Sequence, residues 1–381
     1  MNGKISKPIV MVISVLFIGA TIAAQKTKTI DVPVTRITGT MYVDRAAGFK
    51  GTFNNTVIMD GKLELINKAI IGTYTSIEFS TVDFTKLVGS WSVAYTTDSN
   101  TVEVEYKIKN SNGIWSGWLS YQQWGFNRAN YPVDTTMGNA KIHIDEIIPI
   151  DGTANAFRYR VILRRSSSTA ISPKVKAISA SLYQPSNGQT FDISSIPNSK
   201  IYPIDALKQQ DVKIGIDDAR YIGSLVCSAT AVTMLLQYKG VTDFDGEVPP
   251  QRYVAKIVRD RTNDIYGNWA YCASTLGSWD TTAFIGYACH MYSMNEIAYH
   301  LAKVGPIVIS VYGTIAGTGT DGKGDIHYTT DGHLIVVRGY EKSGNLVTKF
   351  YINDPNKGRT YFMTPEQLST CTSSKITYVI E

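Results

Sequence analysis

The stretch SLVCSATAVTMLLQYKG (224–240) sets Cys227 ahead of an apolar run long enough for a buried helix over 229–240, with Gly240 as its stop. A thiol at such a position feels the positive end of the helix dipole, which favours the thiolate. A thiolate that attacks a carbonyl needs a base, a group to orient that base, and donors for the developing oxyanion. The plainer alternative for Cys227 is a small buried core residue.

Five histidines can be compared as the base. His143 falls in a strand-rich N-terminal half, His300 inside a helix and His290 beside Cys289, all positions that read as structural. His333 opens a strand directly after Gly332, which permits close backbone approach, and His327 in GTGTDGKGDIHYTTDG comes second. Asp354 ends the strand VTKFYIND and is followed by Pro355. Pairing 333–341 with 347–354 around the turn SGN brings Asp354 beside His333, making it the candidate orienter. The alternative is an ordinary strand-ending Asp-Pro turn. For the oxyanion, KQQ (208–210) offers Gln209 and Gln210, of which Gln210 is chosen, with the Cys227 backbone N–H as second donor. Asn268, Trp269 and Tyr271 of YGNWAYC, together with Gly332, are the candidate substrate-side wall, with a packed loop as the alternative for YGNWAYC.

No metal site and no cofactor are expected. The cysteines lack CxxC spacing and no HExxH occurs. DGKGD (321–325) lacks the spacing and terminal Glu of an EF-hand, so it reads as a turn and, lying just before His333, as a flap over the site. Cys227, Cys272, Cys289 and Cys371 leave the disulfide pattern open. A catalytic Cys227 must stay free, and Cys272 with Cys289 is the pair most readily drawn.

The elements that must position these residues fall into two halves. From about 45 to 184 the chain reads as successive strands. TVEVEYKIK (101–109) alternates Val102, Val104, Tyr106 and Ile108 with Glu103, Glu105, Lys107 and Lys109, and AFRYRVILR (156–164) does the same. Many short strands with turns between them predict a β-sandwich. Trp115, Trp118, Tyr121 and Trp124 read as its packing rather than as a sugar- or peptide-binding platform. Residues 185–203 are polar, Pro-bearing and without period, and read as a linker. Beyond it, SMNEIAYHLAKVG (293–305) is a helix with Ser293 as N-cap and Glu296 completing a capping box. PIVISVYG (306–313) is a buried strand. Helices first and strands later predict an α+β domain.

The N-terminus carries Lys4 and Lys7, an apolar run from Ile9 to Ile22, and Ala23 and Ala24 before Gln25. That is the pattern of a cleaved secretory leader over 1–24, leaving 25–44 as an extension and no later membrane span. A net charge of +5 without any Lys/Arg run excludes nucleic acid as the expected partner.

The segments SLVCSATAVTMLLQYKG, YGNWAYCAS, DGHLIVVRGYE and YINDPNKG, in that order, resemble the peptidase C39-like family of papain-like cysteine peptidases. The resemblance runs from about 200 to 381. It implies Cys227 as nucleophile, His333 as base and Asp354 as orienter. Ala229 stands where the family often has Pro, and its oxyanion Gln usually follows a Val-Pro pair that is missing here. SIEFSTVDFTKLVGSW and NGIWSGWLSYQQWG resemble the module that precedes such domains in some secreted members. The expectation is a secreted monomer with an N-terminal β-sandwich (45–184) and an α+β papain-like domain (204–381). It would hydrolyse a peptide or amide bond through a thioester, on a substrate associated with the cell envelope. The alternatives are an acyltransferase or amidase acting on cell-wall peptides or conjugates with the same triad, and a binding protein that acts through its sandwich.

Overall fold

The computed structural model describes residues 35–36, 40–97, 99–126, 128–188, 190–279, 284–372 and 375–381. The expected leader, 1–24, lies outside the described residues. Among the described residues no helix is long and apolar enough to cross a membrane.

The N-terminal half forms two antiparallel sheets. One has Met41–Arg45, Lys174–Tyr183 and Lys86–Tyr95 side by side at its centre. The other orders Leu119–Trp124, Thr101–Asn110, Ala154–Arg164, Ile71–Ser76 and Gly51–Asn54. The period-two pattern has its expected result: Val102, Val104, Tyr106 and Ile108 are buried while Lys107 and Lys109 stay partly exposed. Tyr106 crosses between the sheets and donates its hydroxyl to Ser179 O at 2.6 Å. Gly89 leaves room for it, since a Cβ there would fall inside the rings of Tyr106 and Tyr121. Met41–Arg45 lies mostly in the segment read as an extension, yet it pairs with Lys174–Tyr183 and belongs to this sheet.

The aromatic cluster divides. Tyr121 and Trp124 are fully buried in the core, as packing predicts. Trp115 and Trp118 lie outside it, over cations of the second sheet.

Among the described residues the C-terminal half has the α-helices α1 (Cys227–Tyr238), α2 (Gln251–Val258), α3 (Trp269–Ser278), α4 (Met294–Lys303) and α5 (Pro365–Thr370). Its antiparallel sheet runs Ser199–Ile201, Ile326–Ser343, Leu346–Asp354, Arg359–Met363, Ile307–Gly319, Ile376–Ile380 and Gly286–His290. Helix α1 is buried at every position from Ser228 to Leu236, which explains its apolar character all round. Ser293 caps α4 as expected, but the Glu296 carboxylate accepts from Tyr292 N at 2.7 Å, one residue before the cap. The segment read as a linker ends in Ser199–Ile201, an edge strand paired to Gly339–Glu341. Three residues are too few for a period to show.

The glycine-rich segment read as a loop is mostly a two-stranded ribbon. Gly313–Gly317 pair with Ile326–Thr330, and only the tip turns. That tip is braced: Arg359 pairs with Asp321 and donates to Gly324 O at 2.7 Å.

The two halves meet through hydroxyls. The free edge of Lys86–Tyr95 donates Trp91 N to Ser274 Oγ and Val93 N to Ser278 Oγ, both at 3.0 Å, on α3. In return, Gly286 N donates to Ser92 Oγ at 3.0 Å and Ala288 N to Ser90 Oγ at 3.2 Å. Gly277 and Gly286 touch backbone to backbone, and a Cβ on Gly277 would collide with Ser92 Oγ and Gly286 N.

Candidate active site

Cys227 is the first residue of α1, two residues earlier than the apolar pattern indicates. The N-cap residue, Val226, gives no side-chain cap, so the first-turn N–H groups face outward beside the sulfur. The half-buried sulfur lies within the influence of the His333 ring and of the Ser228 and Leu334 amides. Burial opposes the thiolate, yet the charge and hydrogen bond of His333 and the two N–H donors hold the thiol below its ordinary value.

His333 lies mid-strand in Ile326–Ser343 rather than at a strand start, with Val311 as its cross-strand neighbour. Its Nε2 donates to Asp354 Oδ1 at 2.7 Å, which leaves Nδ1 for Cys227. Burial opposes the imidazolium. The Cys227 thiolate and the hydrogen bonds to Asp354 and Cys227 outweigh it and push the ring up to about 10. The sulfur and ring together favour a thiolate–imidazolium pair.

Asp354 is fully buried at the end of Leu346–Asp354. Oδ1 also accepts from Asn356 N at 2.7 Å, and Oδ2 from Tyr328 OH at 2.7 Å and Tyr361 OH at 3.1 Å. Its carboxylate is thus satisfied without a cation of its own, other than the ring it orients. Tyr328 also sets its ring edge-on to His333, with centroids 6.2 Å apart. Both tyrosines escape the sequence reading, because only strand register brings them to the carboxylate.

The two glutamines differ in ways their sequence does not reveal. The chosen Gln210 is turned away: Nε2 donates to Asn356 Oδ1 at 3.2 Å and Oε1 accepts from Lys357 N at 3.3 Å. Gln209 is the buried one. Its backbone N donates to Pro355 O at 3.0 Å, and its Oε1 has no partner among the described residues.

The expected substrate-side wall is instead part of the junction between the halves. Asn268 is fully buried, caps α3 by accepting from Tyr271 N, and donates to Asp260 Oδ2 at 3.2 Å. Tyr271 is fully buried and donates its hydroxyl to Tyr121 O at 3.0 Å. Trp269 N donates to Asp145 Oδ2 at 2.5 Å. Committed to the core in this way, Asn268 and Tyr271 cannot also face a substrate. Gly332 does neighbour His333 and is exposed, with open space where a Cβ would stand.

The remaining histidines serve elsewhere. His290 is buried, bonds Ser181 Oγ at 2.9 Å, and is held neutral by burial, down to about 3. His300 is likewise pushed down to about 4 by burial inside α4. His143 pairs with Asp134, and His327 sits exposed on the ribbon opposite Ala316. All four cysteines are free, including Cys272 and Cys289. Burial raises Cys272 to about 12 and Cys371 to about 11, and lifts Cys289 well above an ordinary thiol. Cys272 instead ties the helices together, with its sulfur 3.0 Å from Ser228 Oγ on α1.

Residues 204–371 match the Peptidase_C39 like family. This segment is a peptidase C39-like domain. Residues 42–182 match the Peptidase C39 N-terminal domain, so the half that precedes the C39-like domain has its own counterpart. A solved structure from Bacillus anthracis, designated a C39-like peptidase, aligns with 50% of this chain and 98% of its own at 18% identity, with a TM-score of 0.30. A mite allergen chain from a comparison of Blo t 1 and Der p 1 aligns with 51% of this chain and 74% of its own at 10% identity, with a TM-score of 0.29. No curated protein matches the chain.

Proposed function

We propose that the protein is a cysteine hydrolase, built on a papain-like α+β domain and acting outside the cytoplasm, that cleaves a peptide or related amide bond. The domain limits that go with this reading are 41–184 for the sandwich and 204–381 for the peptidase domain. The observation that carries it is the His333–Asp354 pair at 2.7 Å, with a ring whose charge in turn lowers the Cys227 thiol at the start of α1.

The Cys227 thiolate attacks the substrate carbonyl carbon, and the carbonyl electron pair moves to oxygen. That oxyanion takes hydrogen bonds from the Cys227 backbone N–H and from Gln209, chosen over Gln210 for its burial and its uncommitted side chain. As the intermediate collapses, the C–N bond breaks and His333 passes its Nδ1 proton to the departing amine. A thioester remains on Cys227. Water then attacks it while His333 takes a proton, the C–S bond breaks, and the acid leaves as the ion pair reforms. Asp354 holds Nε2–H throughout, so Nδ1 always faces the sulfur.

Iodoacetamide labelling, read cysteine by cysteine with mass spectrometry across pH, tests this. Cys227 alone is expected to react, with half-maximal rate well below the ~8.5 of an ordinary thiol. A Cys227 no faster than free cysteine, or a Cys227→Ser protein that still cleaves a peptide library, would sink the proposal.

A further inference from the structure

The outer face of the second N-terminal sheet carries a cluster that the proposed chemistry does not use. On the neighbouring strands Thr101–Asn110 and Ala154–Arg164, the rungs on this face pair Lys109 with Ala156, Lys107 with Arg158, and Glu105 with Arg160. Most cations here have a carboxylate: Lys109 pairs with Glu78, Arg160 with Glu105, and Arg164 with Glu103 at 2.7 Å. Lys107 and Arg158 have no such partner among the described residues. They are like charges set directly across from one another, an arrangement that costs stability unless a counter-charge joins it. Arg158 Nε is also buried with no hydrogen-bond partner. Burial, followed by the charges of Arg158 and Arg160, holds the Lys107 ammonium below its usual value, against the weaker opposing charge of Glu78.

Two half-buried indoles cover this rung. Lys107 Nζ lies 4.9 Å from the ring centroids of both Trp115 and Trp118, and Arg158 is 5.6 Å from Trp115. A ring face attracts a cation but accepts no strong hydrogen bond, so the donors still lack an acceptor. One rung along, Lys109 lines a groove of about 680 Å³ together with Ser80, Thr81, Asn155, Gln184 and Asn187, and with Asp83 as its one carboxylate. Successive rungs on one face are roughly 7 Å apart, so groove, Lys109 and the Lys107–Arg158 pair form one track.

We propose that this track binds an extended anionic polysaccharide, with hydroxyls in the groove, sugar faces beside Trp115 and Trp118, and an acidic substituent held by Lys107 and Arg158. The Lys107–Arg158 pair, which makes no ion pair of its own among the described residues, selects the acid, and the amides and hydroxyls of the groove select the polyol. A flat anionic bilayer fits less well, since it cannot enter a groove.

Affinity electrophoresis of the full chain tests this, with polygalacturonate, dextran sulfate and neutral dextran as probes and phosphatidylglycerol vesicles in a parallel flotation assay. Polygalacturonate or dextran sulfate should retard the protein, and neutral dextran should not. Lys107→Gln with Arg158→Gln should weaken binding about tenfold or more. Lys62→Gln with Lys68→Gln, which removes the same charge elsewhere on the sandwich, should leave it within about twofold. The first variant should melt no lower than the wild type, because it removes a like-charge pair. Should it melt lower, Lys107→Gln alone is the comparison, with weakened binding still expected. Equal loss in both double variants, no retardation by either polyanion, or binding to vesicles alone would overturn the proposal.

Discussion

His333 sits between a sulfur and a carboxylate, so its charge is set from both sides. The Cys227 thiol is held below its ordinary value, and the ring is raised to about 10. The reactive ion pair therefore exists above the first pKa and below the second. Turnover should rise with pH as Cys227 ionises, below the pH at which an ordinary thiol would, and fall as pH passes about 10 and His333 loses its proton. Asp354→Asn keeps an acceptor for Nε2–H but removes the charge, so the alkaline limb of the same kcat/KM profile should move to lower pH. Tyr328→Phe leaves Oδ2 of a buried carboxylate with one hydroxyl instead of two, and should cost about 1–3 kcal/mol in urea unfolding. The meeting of His333 with Asp354 was legible because strand pairing around a short turn brings the start of one strand beside the end of the next. Gln209 and Gln210 were not separable, since neighbouring identical residues differ only in which one the turn over Pro355 buries.

At the scale of elements, periodicity was readable where one face meets water. Thr101–Asn110 and α4 have such a face and were found. Helix α3 has almost none: it is buried from Ala270 to Ser278, so YGNWAYCAST shows no polar stripe and read as a loop. The ribbon of Ile307–Gly319 with Ile326–Ser343 was hidden by glycines, which lower strand propensity but fit where Gly317 packs against the Tyr361 ring. The role of α3 as a spacer between the strand Lys86–Tyr95 and α1 leads to a prediction. Gly277→Ala forces a methyl group into Ser92 and the Gly286 backbone, and should destabilise the protein by about 3 kcal/mol. Denaturant titration measures this, and because α3 also meets α1 through Cys272 and Ser228, the alkylation rate of Cys227 should fall with it.

For the whole molecule, the hydroxyl-to-backbone bonds join the halves into one cooperative unit. Trp91 and Trp124 report on the sandwich, and Cys227 reactivity reports on the C39-like domain. Their unfolding curves in urea should coincide, and two separate transitions would contradict this. The serines that make the junction were invisible in the sequence, where a Ser in a strand or helix carries no sign of a distant partner. Their arrangement has one more consequence. Among the described residues the flank of Lys86–Tyr95 beyond Leu87 has no neighbouring strand, and Ser274 and Ser278 occupy the amides of Trp91 and Val93 there. A protease nick that released α3 would uncover those two amides as a bare ladder, so the helix that backs Cys227 should also guard the sandwich against recruiting other chains.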